Sequence, residues 1–239
     1  MTHTSKTDPS LATARVDVPA RWEERSTNRV LESRRDQILE RSRQFVEAAY
    51  ELLEEQGLQG LTIRAVLDKT GLSRRAFYER FADKDELVLA VFEHTIRLAT
   101  GLYSQQVSTC SDPMERLRLI VTCLALGKGS LEAAPSEDNG RRAAAMSREH
   151  LRLAESRPDD LQAALSPLLA LIAQQLSDGM QAGLVRESDP RRLASLVYNL
   201  VSTTVHTELL AQKGAPDRAH RVQLAADTWE FCRRGIAKT

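Results

Sequence analysis

Aromatic residues make up only 5% of this 239-residue chain, and cysteine is rarer still. The three cysteines, Cys110, Cys123 and Cys232, are an odd number at wide spacings, which fits neither a disulfide framework nor the paired ligands of a structural zinc site. They read as reduced thiols of a cytoplasmic protein. No apolar run approaches the roughly 18 residues that a membrane span requires. The N-terminus, MTHTSKTDPSLATARVDVPA, lacks an apolar core of signal-peptide length. A basic excess is also missing: 33 Lys and Arg balance 33 Asp and Glu, so any attraction to nucleic acid must be local.

Catalytic signatures are absent as well. The five histidines (His3, His94, His150, His206 and His220) are scattered, and no HExxH, GxSxG or CxxC occurs. The "GKGS" at Gly127 to Ser130 fails as a phosphate loop. Thr122 occupies the place of the first Walker glycine, and Gly129 follows the lysine where a hydroxyl residue is required. No catalytic residue, metal ligand or cofactor is assigned, and the chain does not read as an enzyme.

What the chain does have is helical periodicity on a 42% hydrophobic composition that supports a sizeable core. Residues 1–30 mix Thr, Ser, Pro and alternating charges without an apolar period, and are expected to form a flexible arm. From Ser33 the stripe Ile38, Ser42, Phe45, Ala49 and Leu52 predicts a first helix over 33–56, stopped by Gly57. Thr62 is placed to cap a second helix that ends at Gly71, and Ser73 a third over 74–81. Two short helices joined by Gly-Leu-Ser make a helix-turn-helix candidate. Asp83, with Glu86 three residues on, opens a long fourth helix in the manner of a capping box. Further helices are expected near 112–128, 141–155, 159–183, 190–212 and 216–235, with a polar loop GSLEAAPSEDNG before the second of these. Nothing reads as a strand. The expected fold is all-α, with an arm (1–30), a helix-turn-helix domain (31–83) and a larger helical body (84–239).

The stretch GLSRRAFYERFADKDEL, from Gly71 to Leu87, carries most of the functional information. Eight residues of helix are roughly 12 Å long, comparable to the major-groove width of DNA. Ala76, Phe77 and Phe81 can supply packing, which leaves Arg74, Arg75, Tyr78, Glu79 and Arg80 to cover the rest. Lys84 is a cation in the first turn of a helix, where it opposes the macrodipole unless an anion such as a DNA phosphate is also present. A solvated charged face is the competing reading.

The segment LTIRAVLDKTGLSRRAFYERFADKDEL resembles the DNA-binding signature of TetR-type transcriptional regulators. The likeness covers about residues 33–90 and rests on the Thr-led second helix, the Gly and Ser of the turn, and the Tyr, Phe and Lys that follow. It implies phosphate contacts from Thr62, Ser73, Tyr78 and Lys84. It also places Arg74, Arg75, Ala76, Glu79 and Arg80 near base edges or the adjoining backbone, with Phe81 in the core. Leu67 and Thr70 stand where the family commonly has alanines, and Arg80 replaces a frequent histidine.

The resemblance implies a double-stranded DNA operator, a homodimer and a small-molecule effector that releases the DNA, most simply as a repressor. One short recognition helix buries too little surface for tight specific binding, so two copies on two half-sites are expected. The C-terminal helices are the candidate dimer elements, with Leu193, Leu196, Val197, Leu200 and Val201 as candidate interface residues. Ordinary intrachain core is the alternative for the same five. Thr122, Gln175, Asn199 and His206 are polar groups in apolar helices and hence candidate effector contacts, and the aliphatic surroundings favour an apolar or amphipathic molecule. A helical protein-binding adaptor or a ligand-binding protein without a DNA function is the alternative reading.

Overall fold

Nine helices make up the described part of the computed structural model, which covers residues 21–126, 137–211 and 218–238. They are α1 (Arg21–Gly60), α2 (Ile63–Thr70), α3 (Arg74–Tyr78), α4 (Lys84–Val107), α5 (Pro113–Leu126), α6 (Glu137–Ser156), α7 (Pro158–Gln181), α8 (Pro190–Ala211) and α9 (Arg218–Ile236). No strand occurs among the described residues. A single bridge between Val185 and Ala237 ties the C-terminal end to the α7–α8 connection.

The first helix starts about twelve residues before the expected position. Between Pro19 and Gly57 the sequence has neither proline nor glycine, so nothing stops the helix once it has begun. Residues 21–30, expected as part of a flexible arm, are therefore helical. The rest of the expected arm, residues 1–20, lies outside the described residues. Gly57 does break the helix as expected, with φ at +67° and a helical turn continuing beyond it to Gly60. The chain divides into two units between Arg41 and Ser42. In the first unit, every described side chain of residues 21–41 is exposed.

The second unit contains two apolar cores. One gathers Phe45, Ala49, Leu52 and Leu53 of α1 with Leu61, Val66, Phe77, Phe81 and the α4 residues Leu87, Val88 and Val91. The other is larger and draws Phe92, Tyr103 and Val107 of α4 together with α5 to α9. Helix α4 thus serves both cores, and Met146 of α6 packs at the edge of each. This 24-residue helix contributes buried residues to both cores.

Other boundaries follow expectation to within a few residues. The third helix is shorter than predicted, ending at Tyr78, with a turn carrying the chain through Arg80 to Phe81. Helix α6 begins at Glu137, four residues earlier than expected. The first part of the predicted polar loop, together with Gly127 to Ser130, falls in 127–136, outside the described residues.

Candidate nucleic-acid interface

Local sequence signals build the helix-turn-helix. Thr62 lies in extended backbone, and its Oγ1 accepts from the Ala65 N–H at 3.1 Å, capping α2. Gly71 closes that helix with φ at +67°, a conformation in which a side chain is strained, while its N–H reaches the Leu67 carbonyl. Ser73 then repeats the cap, its Oγ accepting from the Ala76 N–H at 3.1 Å. The departure at Thr70 has a local role. Its hydroxyl donates to the Val66 carbonyl at 2.8 Å and accepts from the Leu72 N–H at 3.3 Å, so it fastens the turn. Leu67, the other departure, is half-buried against the same core.

Beneath α3 lies an aromatic anchor. Phe45 meets Phe77 and Phe81 edge-on, with centroids 5.5 and 6.1 Å away, and Phe77 and Phe81 lie 5.5 Å apart. Three of the chain's five phenylalanines are concentrated at this point. Such contacts fix a five-residue helix that has no independent stability. Lys69 of α2 adds a clamp to α1 through Glu55 at 2.7 Å and Glu51 at 3.1 Å, and these hydrogen bonds, the Glu55 one first, raise its pKa.

The outer face of α3 presents Arg74, Arg75, Tyr78 and Glu79, all exposed. Arg75 Nε donates to Glu79 Oε1 at 2.9 Å, and the same hydrogen bond holds the Glu79 carboxyl below its ordinary value. The Arg74 guanidinium lies 5.8 Å from the centre of the Tyr78 ring, whose residue is 47% exposed. Thr62 and Ser73 are exposed at the starts of α2 and α3, beside backbone N–H groups suited to phosphate.

Two candidates turn out differently. Ala76 is buried in the core, only 8% exposed, and does not stand on the outer face. Arg80 is folded inward, its side chain only 6% exposed; Nη1 donates to the Ala76 carbonyl at 2.6 Å and lies 3.5 Å from Glu79. It closes the C-terminal end of α3 instead of facing outward. Lys84 is half-buried at the start of α4. The dipole conflict read there is already offset by the chain's own anions: Asp83 caps the Glu86 N–H at 2.9 Å, and Asp85 and Glu86 sit in the same turn. Glu86 reaches back to the Ala82 N–H at 2.6 Å, one residue ahead of the capping-box pattern.

In the body, Thr122 and His206 are half-buried, whereas Gln175 is buried; its Nε2 donates to the Leu171 carbonyl and its Oε1 has no hydrogen-bond partner among the described residues. Asn199 is exposed on the outer face of α8, away from these three in character, and does not belong to an interior site. His150 and Tyr198 were not singled out by sequence reasoning. Their side chains meet at 3.3 Å, and the His150 ring lies 4.7 Å from that of His206. Only the helix packing joins residues so distant in sequence.

Of the five dimer candidates, Leu193, Val197 and Val201 are buried within the protomer's own core. They are correspondingly removed from the interface set. Leu196, 56% exposed, and the half-buried Leu200 remain outward on α8, with Asn199, Thr203 and Thr207 alongside, and Phe231 of α9 is 69% exposed. Among the described residues, no cluster of three His, Cys, Asp or Glu side chains is arranged to hold a metal, and no helix is long and apolar enough to cross a membrane.

Residues 45–91 match the family model described as bacterial regulatory proteins, tetR family. The HTH-type transcriptional regulator BetI of Burkholderia ambifaria (strain MC40-6) is 33% identical over 82 residues, which are 34% of this chain and 42% of that protein. The chain thus spans less than half the length of the curated relatives it matches. A TetR-family transcriptional regulator from Pectobacterium atrosepticum superposes with a TM-score of 0.66 at 20% identity, over 86% of this chain and 98% of that one. A regulator from Saccharomonospora viridis in complex with choline superposes with a TM-score of 0.61 at 21% identity, over 84% and 99%. At these identities the two structures establish the fold.

Proposed function

The chain is a TetR-type protein, with the family's N-terminal domain at residues 45–91 and the family's all-helical fold, and on that premise we propose that it is a cytoplasmic, sequence-specific repressor. It binds a palindromic double-stranded DNA operator as a homodimer. The observation that carries this reading is the outward face of α3, where Arg74, Arg75, Tyr78 and Glu79 stand exposed on a helix held from below by Phe45, Phe77 and Phe81. An exposed arginine on such a helix can pair bidentately with a guanine, while Thr62, Ser73, Tyr78 and Lys84 hold the phosphates that set register. In this reading residues 31–83 read DNA, and residues 84–239 dimerise and sense a ligand, with the start of α4 packed in the same core as the DNA-reading helices.

The outer face of α8 with Phe231 of α9 is the proposed dimer surface. From Leu196 to Thr207 that face carries apolar and small polar groups without charge, the composition expected at the centre of an obligate interface. A small apolar or amphipathic effector in the body would bind the DNA-released shape more tightly, and α4, shared by both cores, would transmit the shift. The choline complex of the Saccharomonospora neighbour supports a ligand site in this fold, without identifying the ligand here.

Selection of sites from randomised duplex DNA at near-physiological salt tests the proposal. Enrichment of a palindrome with half-site centres about 34 to 36 Å apart, or a multiple of that, is the expected outcome. Salt-sensitive background binding with no enriched sequence would overturn it.

A further inference from the structure

The helical body contains an unusual group of side chains with polar tips. Tyr198 of α8 places its hydroxyl 3.3 Å from His150 Nδ1 on α6. The His150 ring meets the His206 ring of α8 at 4.7 Å, inclined by 61°, and packs near Phe92 of α4 at 6.0 Å. Both histidines are half-buried, so they border the interior and are not sealed within it.

Their protonation states follow from the surroundings. Burial pushes the Tyr198 phenol far above its ordinary value, so it keeps its proton, and its hydroxyl pairs with His150 Nδ1. In the tautomer with the His150 proton on Nε2 the phenol donates to Nδ1, and in the other tautomer Nδ1–H donates to the phenol oxygen. Burial lowers His150, and burial together with the facing His150 lowers His206 to about 4. Two neutral imidazoles therefore face each other at neutral pH.

Acidic neighbours are engaged elsewhere. On α6, Glu149 pairs with Arg152 at 2.9 Å. On α8, Glu208 lies 3.1 Å from His220 of α9. Burial, and after it Asp160 of α7, raise the Glu93 carboxyl of α4 against the lowering influence of Arg97 and Arg157, and Arg157 itself pairs with Asp160 at 2.6 Å. On α5, Arg118 is held by Glu115, and Arg221 of α9 donates to the Leu126 carbonyl. Among the described residues, burial lowers His150, and burial followed by the facing His150 lowers His206, with no carboxylate contributing to either.

We propose that His150, His206 and Tyr198 form the head-group site for an organic acid, which enters as a carboxylate and is accompanied by one proton from solvent onto the imidazole pair. The inference rests on the effector reading above and names the chemical class of the effector. A bare carboxylate brought beside Phe92 and the apolar core to which Phe92 and Tyr198 belong would be strongly disfavoured, because nothing would cancel its charge. Uptake of one proton by the imidazole pair cancels it and adds one N–H donor for the carboxylate oxygens. The proton belongs to the coupled pair and not to one ring. A neutral amide of the same shape recruits no proton and loses this pairing.

Calorimetry on the full chain, with octanoate and phenylacetate each set against its amide in buffers of different ionisation enthalpy, tests the site. Each acid is expected to bind at least about tenfold more tightly than its amide at pH 6.5, with uptake of about one proton and affinity falling about tenfold per pH unit in the alkaline range. His150→Gln and His206→Gln, checked for unaltered thermal unfolding, should abolish both the preference and the proton uptake. Nitrogen NMR of the unmutated imidazoles should show protonation on saturation with octanoate, which keeps the test independent of the variants' folding. Failure of both acids to bind, equal binding of acid and amide, or proton uptake that persists in both variants would overturn the proposal. Operator release is measured separately: acid binding that leaves DNA bound would defeat the effector reading while leaving the site intact.

Discussion

Arg75 and Glu79 occupy successive turns of one helix face and are joined Nε to Oε1 at 2.9 Å, with the Arg75 side chain 89% exposed. An exposed guanidinium on the proposed recognition helix is thus held by a carboxylate that itself repels DNA. In the proposed function Glu79 is an internal competitor that a correct base sequence must displace. Replacing it with glutamine is expected to raise affinity for random DNA severalfold and to narrow the ratio between operator and random sequence. Titration of both duplexes over a range of salt concentrations measures this; an unchanged ratio would show that Glu79 has no part in selectivity.

The proposed function divides reading from positioning between Arg75 and Lys84. Arg75→Ala should cost about 1 to 3 kcal/mol on the preferred site and relax specificity at one base position, whereas Lys84→Ala should weaken all sequences alike and lower the salt slope by about one. Equal losses on operator and random DNA for both variants would refute the division.

The capped turn was legible in sequence because its signals are local. Thr62, Gly71 and Ser73 each act within four residues of themselves, and the structure finds each in its expected place at a helix end. Arg80 was not legible. Its inward turn goes with contacts to the Ala76 carbonyl and the Glu79 carboxylate, while in a one-dimensional reading it looks like any exposed arginine. On α8 the stripe of Leu193, Leu196, Val197, Leu200 and Val201 was visible, but not which edge the protomer keeps for itself. Burial assigns three of the five to its own core. His150 and Tyr198, 48 residues apart, carried no sequence signal at all.

The outward edge of α8 carries its own expectation. Leu196→Glu combined with Phe231→Glu replaces two exposed apolar side chains and should leave the protomer folded, since neither belongs to its core. Across a two-fold axis each introduced charge meets its own copy or an apolar surface, which is costly once desolvated. Sedimentation should show a monomer, and operator affinity should collapse with the loss of the second half-site. A stable dimer in the double variant would place the interface elsewhere.

His206 gives the body a pH dependence of definite sign. Its folded pKa, about 4, lies below the ordinary histidine value of 6.5, so the unfolded chain binds the proton more readily. This contribution is fully present above about pH 6.5, and is lost as pH falls towards and through 4. Thermal unfolding between pH 7 and 4.5 should show a decline that is shallower in His206→Leu than in the unaltered protein. Equal slopes would mean that His206 is no more buried in the folded chain than in the unfolded one.

Signal transfer between the domains has a specific candidate contact. Arg152 of α6 joins Asp85, in the first turn of α4, at 3.0 Å while also holding Glu149 at 2.9 Å, and its Nη2 is buried without a hydrogen-bond partner among the described residues. A guanidinium tied to two helices, with one nitrogen unsatisfied, has little to lose when α6 shifts relative to α4. The contact is well suited to exist in one state and break in the other. Arg152→Ala should leave DNA affinity in the absence of effector within about twofold, because the α3 face is untouched, yet weaken the effector's influence on that affinity by at least about fivefold. Operator titrations with and without a saturating effector measure the two separately. An unchanged ratio would remove Arg152 from the coupling, and would leave the shared apolar packing of α4 as the remaining route between the ligand site and the DNA.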